Sequence, residues 1–502
     1  MMHITRRAAL ASLAVLPLAR TARARPAGEL VFGLSSYPPN LMPWVDSGTA
    51  SATVKLQMFR GLLAFALDGT LRGELAESWS HDDAGVWTFK LRDAKFHNGE
   101  PVTSADVKWT IEQVAASSTT RLHAEMASIT TIDTPDDKTI KLTTRTPTAT
   151  LGDWFANSCL PIIARSSDPK QPVGAGPYQL DSQERGTFVQ LVPAPGYYKP
   201  GLPKSKSLRF VAYADDTARV AALQAGDVDM IEYVPWQFIA QMQKDPKLQV
   251  AAHDGPFMYL TFNGSRPPFD DARVRTAVAY AVKRDEIIQA AFYGRGSALG
   301  HLPIPDASPY FNADLKNVWT YDPARAKQLL AEAGHPDGFT CNMLATAQYG
   351  MHKDTAVLVQ QQLASVGIQA TLNLPDWPTR IRLGNLGQFD LAVMGTGPDT
   401  NDPDGLASVI DGSLPPSFAR SFGLKTPKIT ELLQQGREKF DPAARRAIYH
   451  ELEQTAITDP PIVGLTWREQ AYAMVSGMHG FTNLPGMLTF LSGITLETTE
   501  LG

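Results

Sequence analysis

The chain is 502 residues long, 43% hydrophobic and 19% charged, the proportions of an ordinary soluble globular protein with length for about three domains. Its formal net charge is −5; residues 1–24 hold four arginines and no acid, so the remainder carries 42 basic against 51 acidic side chains, a net of −9. That balance argues against a nucleic-acid partner, whose phosphates call for a basic surface.

The first 24 residues read as an export signal rather than as fold. His3-Ile4-Thr5-Arg6-Arg7 is basic, Ala8 to Ala19 is apolar but too short to span a bilayer, and Ala22-Arg23-Ala24 fits a small-x-small cleavage site. The Arg6-Arg7 pair before the apolar run points to the twin-arginine route, with the general secretory route as the alternative. Only Cys159 and Cys341 are present, in no metal-ligand spacing and with neither near the cleavage site. The expectation is an exported, soluble, periplasmic monomer without a lipid anchor. The two cysteines are expected to be buried thiols, although an oxidising compartment would also permit a disulfide.

After the signal, Leu30–Leu34 forms a short strand that runs into a Pro-rich loop with Tyr37 and Trp44, followed by a helix over 52–59. From Val86 to Leu91 the residues alternate, with Trp87, Phe89 and Leu91 on one face. Asn98-Gly99 and Pro101 break that strand. Thr103 and Asp106 then form a capping box for a helix that sets Val107, Ile111 and Val114 on one side. A threonine-rich strand pair (130–132, 139–143) and a helix near 148–157 complete a compact α+β unit. Strands follow at 178–180 and 208–212, and a helix over 217–224 closes on Gly226.

Beyond these, 258–263 is a strand, and Asp270/Asp271 cap a helix carrying Val274, Val278 and Val282. A further helix runs from Asp285 to Gly294. Asp322-Pro323, Thr426-Pro427 and Asp441-Pro442 each open a helix with a cap followed by proline at the first helical position. Between them lie strands at 339–345, 368–374 and 389–394 and a helix over 354–366, an α/β lobe. A last strand, 462–467, leads back toward the first lobe.

Several of these stretches resemble one family closely. Leu75-Ala76-Glu77-Ser78-Trp79, Trp87-Thr88-Phe89-Lys90-Leu91-Arg92, Phe96-His97-Asn98-Gly99 and Ala105-Asp106-Val107 resemble the signature of extracytoplasmic solute-binding proteins of ABC importers, the peptide/nickel-binding family 5. Val173-Gly174-Ala175-Gly176-Pro177-Tyr178, Gly196-Tyr197-Tyr198 and Ala225-Gly226-Asp227-Val228-Asp229 add to the likeness. The resemblance implies a mixed α/β fold, the two-lobed type II periplasmic-binding fold with an extra inserted α+β domain. Residues 26–45, 171–255 and 459–502 would form lobe I, 46–170 the inserted domain and 256–458 lobe III. It also implies capture of a peptide or peptide-like solute between the lobes, for delivery to permease subunits in the inner membrane. Nickel chelates, opine-like solutes and oligosaccharides are the alternatives within the binding class.

No catalytic constellation appears: the sequence has no G-x-S-x-G elbow, H-E-x-x-H, Walker A or G-x-G-x-x-G. The rival reading, an exported hydrolase, has no nucleophile or metal site to stand on. No cofactor and no metal is expected, and His97 reads as a capping or surface histidine. The candidate binding segment is Phe389 to Asp404, a strand ending in a loop rich in Gly and Asp. By resemblance Asp399 would hold a ligand ammonium, with Thr396 and Gly397 beside it; turn chemistry accounts for it equally well. Thr396 stands where dipeptide-binding members carry Trp, and their carboxylate-binding arginine has no clear counterpart near Gln348-Tyr349. Arg380 and Arg382 are substitutes on a nearby helix, or simply solvated. Tyr37, Trp236, Tyr259, Trp377 and Trp467 are the candidate aromatic walls, though each also fits a core role. Trp79, Trp87 and Trp109 are assigned to the core of the inserted unit.

Overall fold

The structure, a computed structural model, describes residues 26–502 except 46–47, 83, 169–170, 307, 398–399 and 401. The export signal and Asp399 therefore lie outside the described residues. Among those described, two strands organise the molecule. Leu248–Phe262 and Val463–Val475 pair antiparallel along most of their length. They form the middle of an eleven-stranded sheet. On one side follow Met230–Ile231, Glu29–Leu34, Ser207–Ala212, Phe188–Pro193 and Tyr178–Glu184; on the other, Leu391–Thr396, Phe339–Leu344 and Ile368–Asn373.

Each long strand changes partner part-way. Residues 257–262 pair with Leu391–Thr396, whereas 248–254 face only the other long strand. Likewise 466–468 pair with Gly296–Ala298, and 473–474 with Met230–Ile231. The change falls at a register shift between Asp254 and Phe257, which leaves Arg468 opposite Gly255 and Pro256. Bulges bend a strand and re-aim its side chains. Here the bulge marks the place where both strands leave one half of the sheet for the other.

Each half has its own core. One gathers Leu260, Phe262, Val274, Val278, Val359 and Leu363, the other Leu30, Phe32, Val54 and Phe210. A separate four-stranded sheet, in the order Ala76–His81, Trp87–Leu91, Thr139–Thr144, Ile129–Asp136, packs its own core around Trp87, Phe89, Val107 and Ile111. The alternation expected there holds: Trp87, Phe89 and Leu91 are buried and Lys90 is exposed. The capping box forms, with Asp106 accepting from the Thr103 backbone N–H at 3.0 Å and its hydroxyl at 2.6 Å. Trp79 and Trp87 join this core, but Trp109 leaves it to pack on Trp44 at 5.8 Å, against the neighbouring core.

The glycines of Gly174-Ala175-Gly176 have a packing reason. A Cβ on Gly174 would lie 2.1 Å from the Met58 carbonyl oxygen, and one on Gly176 2.2 Å from that of Gln57. His97 closes over the same turn, its Nε2 3.0 Å from the Gly176 oxygen. Two expectations shift. The helix Arg284–Phe292 ends on Tyr293 at φ 55° rather than on Gly294. Cys341 is buried but Cys159 is only partly so, and the two are not disulfide-bonded.

Candidate functional site

The candidate site lies where the two long strands change partners. Arg468 is 3% exposed and inserted between two rings, with its guanidinium carbon 6.0 Å from the centroids of Trp236 and Phe490. It shares a hydrogen bond with the Tyr233 hydroxyl and reaches Gln470 Oε1 only at 3.4 Å; among the described residues its Nε has no acceptor. The acid next to it in sequence, Glu469, is committed to Arg295 at 3.1 Å. Burial depresses the Arg468 pKa, opposed by Tyr233.

Tyr233 stacks on Phe490 at 5.9 Å and holds φ at +49°, a left-handed conformation that costs a non-glycine residue about 1 kcal/mol or more. The neighbouring backbone is fixed: the Val234 N–H donates to the Ala471 carbonyl at 3.1 Å. The preceding Glu232 is fully buried and accepts from the Ser35 backbone N–H (2.9 Å) and hydroxyl (2.7 Å), while its second oxygen has no partner among the described residues.

The facing wall comes from the other half. Tyr349, His352 and Trp377 form an aromatic group with centroids 5.4–6.1 Å apart. His352 is 2% exposed, and its Nδ1 has no partner among the described residues. Burial, then the charges of Arg380 and Arg468, push its pKa down to about 3, so it is neutral at physiological pH. Arg380 is buried, not solvated: it donates to the carbonyls of Val393 (3.0 Å) and Phe418 (3.2 Å), and its pKa falls to about 10 through burial. Arg382 is exposed on the same helix, Trp377–Asn385. The halves meet here. A Cβ on Gly397 would lie 3.3 Å from the Phe490 ring, and Tyr233 contributes to the raised pKa of Tyr349 after burial.

The sequence-derived candidates divide accordingly. Trp236, Trp377, Thr396 and Gly397 lie at or beside this junction. Tyr259 and Trp467 pack together through Phe257 in a core; the Tyr259 hydroxyl donates to the Ala419 carbonyl at 2.7 Å. Tyr37 is partly buried at the sheet edge, where its hydroxyl donates to Gln183 at 3.2 Å. Asp402 and Asp404 are both held in ion pairs. Asp402 caps the following turn and pairs with Arg445 (2.8 Å), and Asp404 pairs with Arg437 (2.6 Å). Arg468, Tyr233, Phe490 and His352 escaped sequence reasoning. Arg468 is followed directly by Glu469 and Gln470, just past the strand signal at 462–467, so nothing local singled it out.

A sheet in two halves joined by two shared strands, with aromatic and cationic side chains meeting at the join, defines a two-lobed type II periplasmic-binding fold. The family model for bacterial extracellular solute-binding proteins, family 5 Middle, matches residues 70–415. The chain belongs to this family, the solute-binding proteins of ABC importers. The glutathione-binding protein GsiB of Escherichia coli (strain K12) is 26% identical over 519 residues, the whole of both chains. Among solved structures, the periplasmic binding protein AgaA from A. tumefaciens R10, in complex with agropinic acid, is 39% identical with a TM-score of 0.86, covering 94% of this chain and 99% of that one. DppA from Helicobacter pylori, in complex with peptide STSA, shares the fold at 22% identity and a TM-score of 0.82, over 94% and 98% of the two chains.

Proposed function

We propose that this protein is exported to the periplasm by the signal in residues 1–24 and captures a peptide-like solute of the opine kind as a monomer. Closure of residues 26–45, 171–255 and 459–502 on residues 256–458 would enclose the solute, with 46–170 attached to the former. The closed form would dock on permease subunits in the inner membrane. The observation that carries this reading is the convergence of Tyr233, Trp236 and Phe490 with Tyr349, His352 and Trp377 around Arg468 at the bulge. A solute touching both walls stabilises the closed arrangement over the open one, which is what capture requires.

The 39% identity to a protein that binds agropinic acid supports an opine-like solute over a dipeptide. So does Thr396 in place of the tryptophan of dipeptide binders. We read the chemistry as binding rather than turnover because the relatives are themselves binding proteins.

Mass spectrometry of solute released from the purified protein, followed by calorimetry with agropinic acid, glutathione and short peptides, tests this. An opine or peptide-like compound recovered intact, with submicromolar affinity for at least one probe, is the expected result. Conversion of any probe to product would overturn the binding reading.

A further inference from the structure

We propose that Arg468 is the seat for a carboxylate of the captured solute, and thus sets the specificity of this site for acids. The proposal rests on the solute-capture reading and deepens it. A buried guanidinium is costly unless paired with a counter-charge, by several kcal/mol per ion even after relaxation. Among the described residues Arg468 has no carboxylate partner. Its neighbours are two aromatic faces, the Tyr233 hydroxyl and a weakly placed amide oxygen, and its Nε is left without an acceptor.

An unpartnered nitrogen is not peculiar to Arg468, since among the described residues Arg284 Nη2 and Arg380 Nε also lack an acceptor; the difference lies in the anchors that the other buried arginines have. Arg60 meets Glu74 and Glu497, and Arg445 meets Asp402. Arg284 donates to the carbonyls of Leu299, Gly464, Ala279 and Trp319. Arg380, nearest in setting, is anchored on two carbonyls. Arg468 has neither arrangement. The charged neighbourhood adds no compensation, since Glu469 belongs to Arg295 and His352 is a neutral ring.

An anion arriving at Arg468 therefore replaces a missing partner instead of competing with one. The planar fork suits a carboxylate, which takes two parallel N–H bonds. Position matters equally. Arg468 stands opposite the bulge at Gly255 and Pro256, where the chain passes between halves. Trp236 and Phe490 flank it, and a Cβ on Gly397 of the other half would contact that same Phe490 ring. A carboxylate bound here is enclosed by both halves, so its binding energy favours closure.

Calorimetry on the full chain with agropinic acid, glutathione and their carboxyl methyl esters tests the seat. Wild-type protein is expected to bind an acid about 100-fold more tightly than its ester, the scale of a lost buried charge pair. Arg468→Met should bind acid and ester equally weakly, and Arg468→Lys should restore part of the difference. Equal binding of acid and ester by wild-type protein would overturn the seat while leaving solute capture intact. Thermal unfolding of solute-free protein gives a readout that needs no probe to bind. Removing an uncompensated buried charge should leave Tm unchanged or raise it in Arg468→Met. A marked fall in Tm would make the arginine scaffolding and overturn the proposal.

Discussion

Glu497 shows how single side chains hold distant segments together. It is 4% exposed and accepts from Arg60 (3.0 Å), Lys199 (2.7 Å) and Tyr197 (2.6 Å), while Arg60 and Lys199 also meet Glu74. Burial raises its pKa, but Arg60 and then Lys199 outweigh burial and hold it down to about 2. Because the folded carboxyl is the stronger acid, the resulting stabilisation is complete above the ordinary glutamate range and is lost as the pH falls from about 4.5 toward 2. Tm measured across this range should therefore drop less steeply for Glu497→Gln, which starts from a lower value. Gly174 offers a steric counterpart. A Cβ there would sit 2.1 Å from the Met58 oxygen, so Gly174→Ala should destabilise the fold by about 2 kcal/mol or more, seen as a lowered denaturant midpoint. The sequence marked Gly174 as a turn, but the approach of the Met58 backbone, more than a hundred residues earlier, is not written locally.

At the scale of elements, legibility followed the range of the determining interactions. The three helices expected to open with a cap and a proline begin at Pro323, Pro427 and Pro442, and Asp322 and Asp441 cap theirs, whereas the Thr426 hydroxyl caps nothing and instead donates to the Ile410 carbonyl and accepts from the Gly412 N–H. Asp441 accepts from the Ala444 N–H at 2.8 Å, satisfying a donor that the helix cannot. Asp441→Ala should cost about 1 kcal/mol, measurable by urea unfolding, with little effect on solute affinity. The long strands were less legible. Only 258–263 and 462–467 carry a clear strand signal, whereas the strands run over Leu248–Phe262 and Val463–Val475. The missing parts include Gly255-Pro256 and polar residues such as His253, Asp254 and Gln470. They are extended because each strand supplies the hydrogen-bonding partner of the other across more than 200 residues.

At the scale of the molecule, a second junction forms away from Arg468. Thr150 donates to Asp404 at 3.1 Å, and the Ala149 N–H donates to the Arg437 carbonyl at 2.8 Å. Phe440 packs on His81 at 4.1 Å and on Trp87 at 6.3 Å. These contacts tie the unit built on the four-stranded sheet to the half bearing Leu391–Thr396, and the opening that the proposed capture requires would have to break them. Thr150→Val should therefore shift solute-free protein toward the open form, with a larger radius of gyration in small-angle scattering and a few-fold loss in affinity. Asp404 remains paired with Arg437 in that variant, so the fold itself should persist.

The sequence by itself determined what local chemistry can specify. Caps, prolines, glycines and alternating strands placed most elements, and the Leu75–Val107 signature carried the family and hence the fold. It also placed Trp236, Trp377, Thr396 and Gly397 among the candidate residues. Only the tertiary structure decided that Tyr259 and Trp467 are core, that Arg380 is buried on two carbonyls, and that Arg468, between Trp236 and Phe490, has no carboxylate partner among the described residues. The reason is physical: a side chain's partners, and whether it keeps its water, depend on strands and turns that meet only when the chain folds. An arginine in a strand reads the same in sequence whether solvent, a carboxylate or a ligand is to neutralise it.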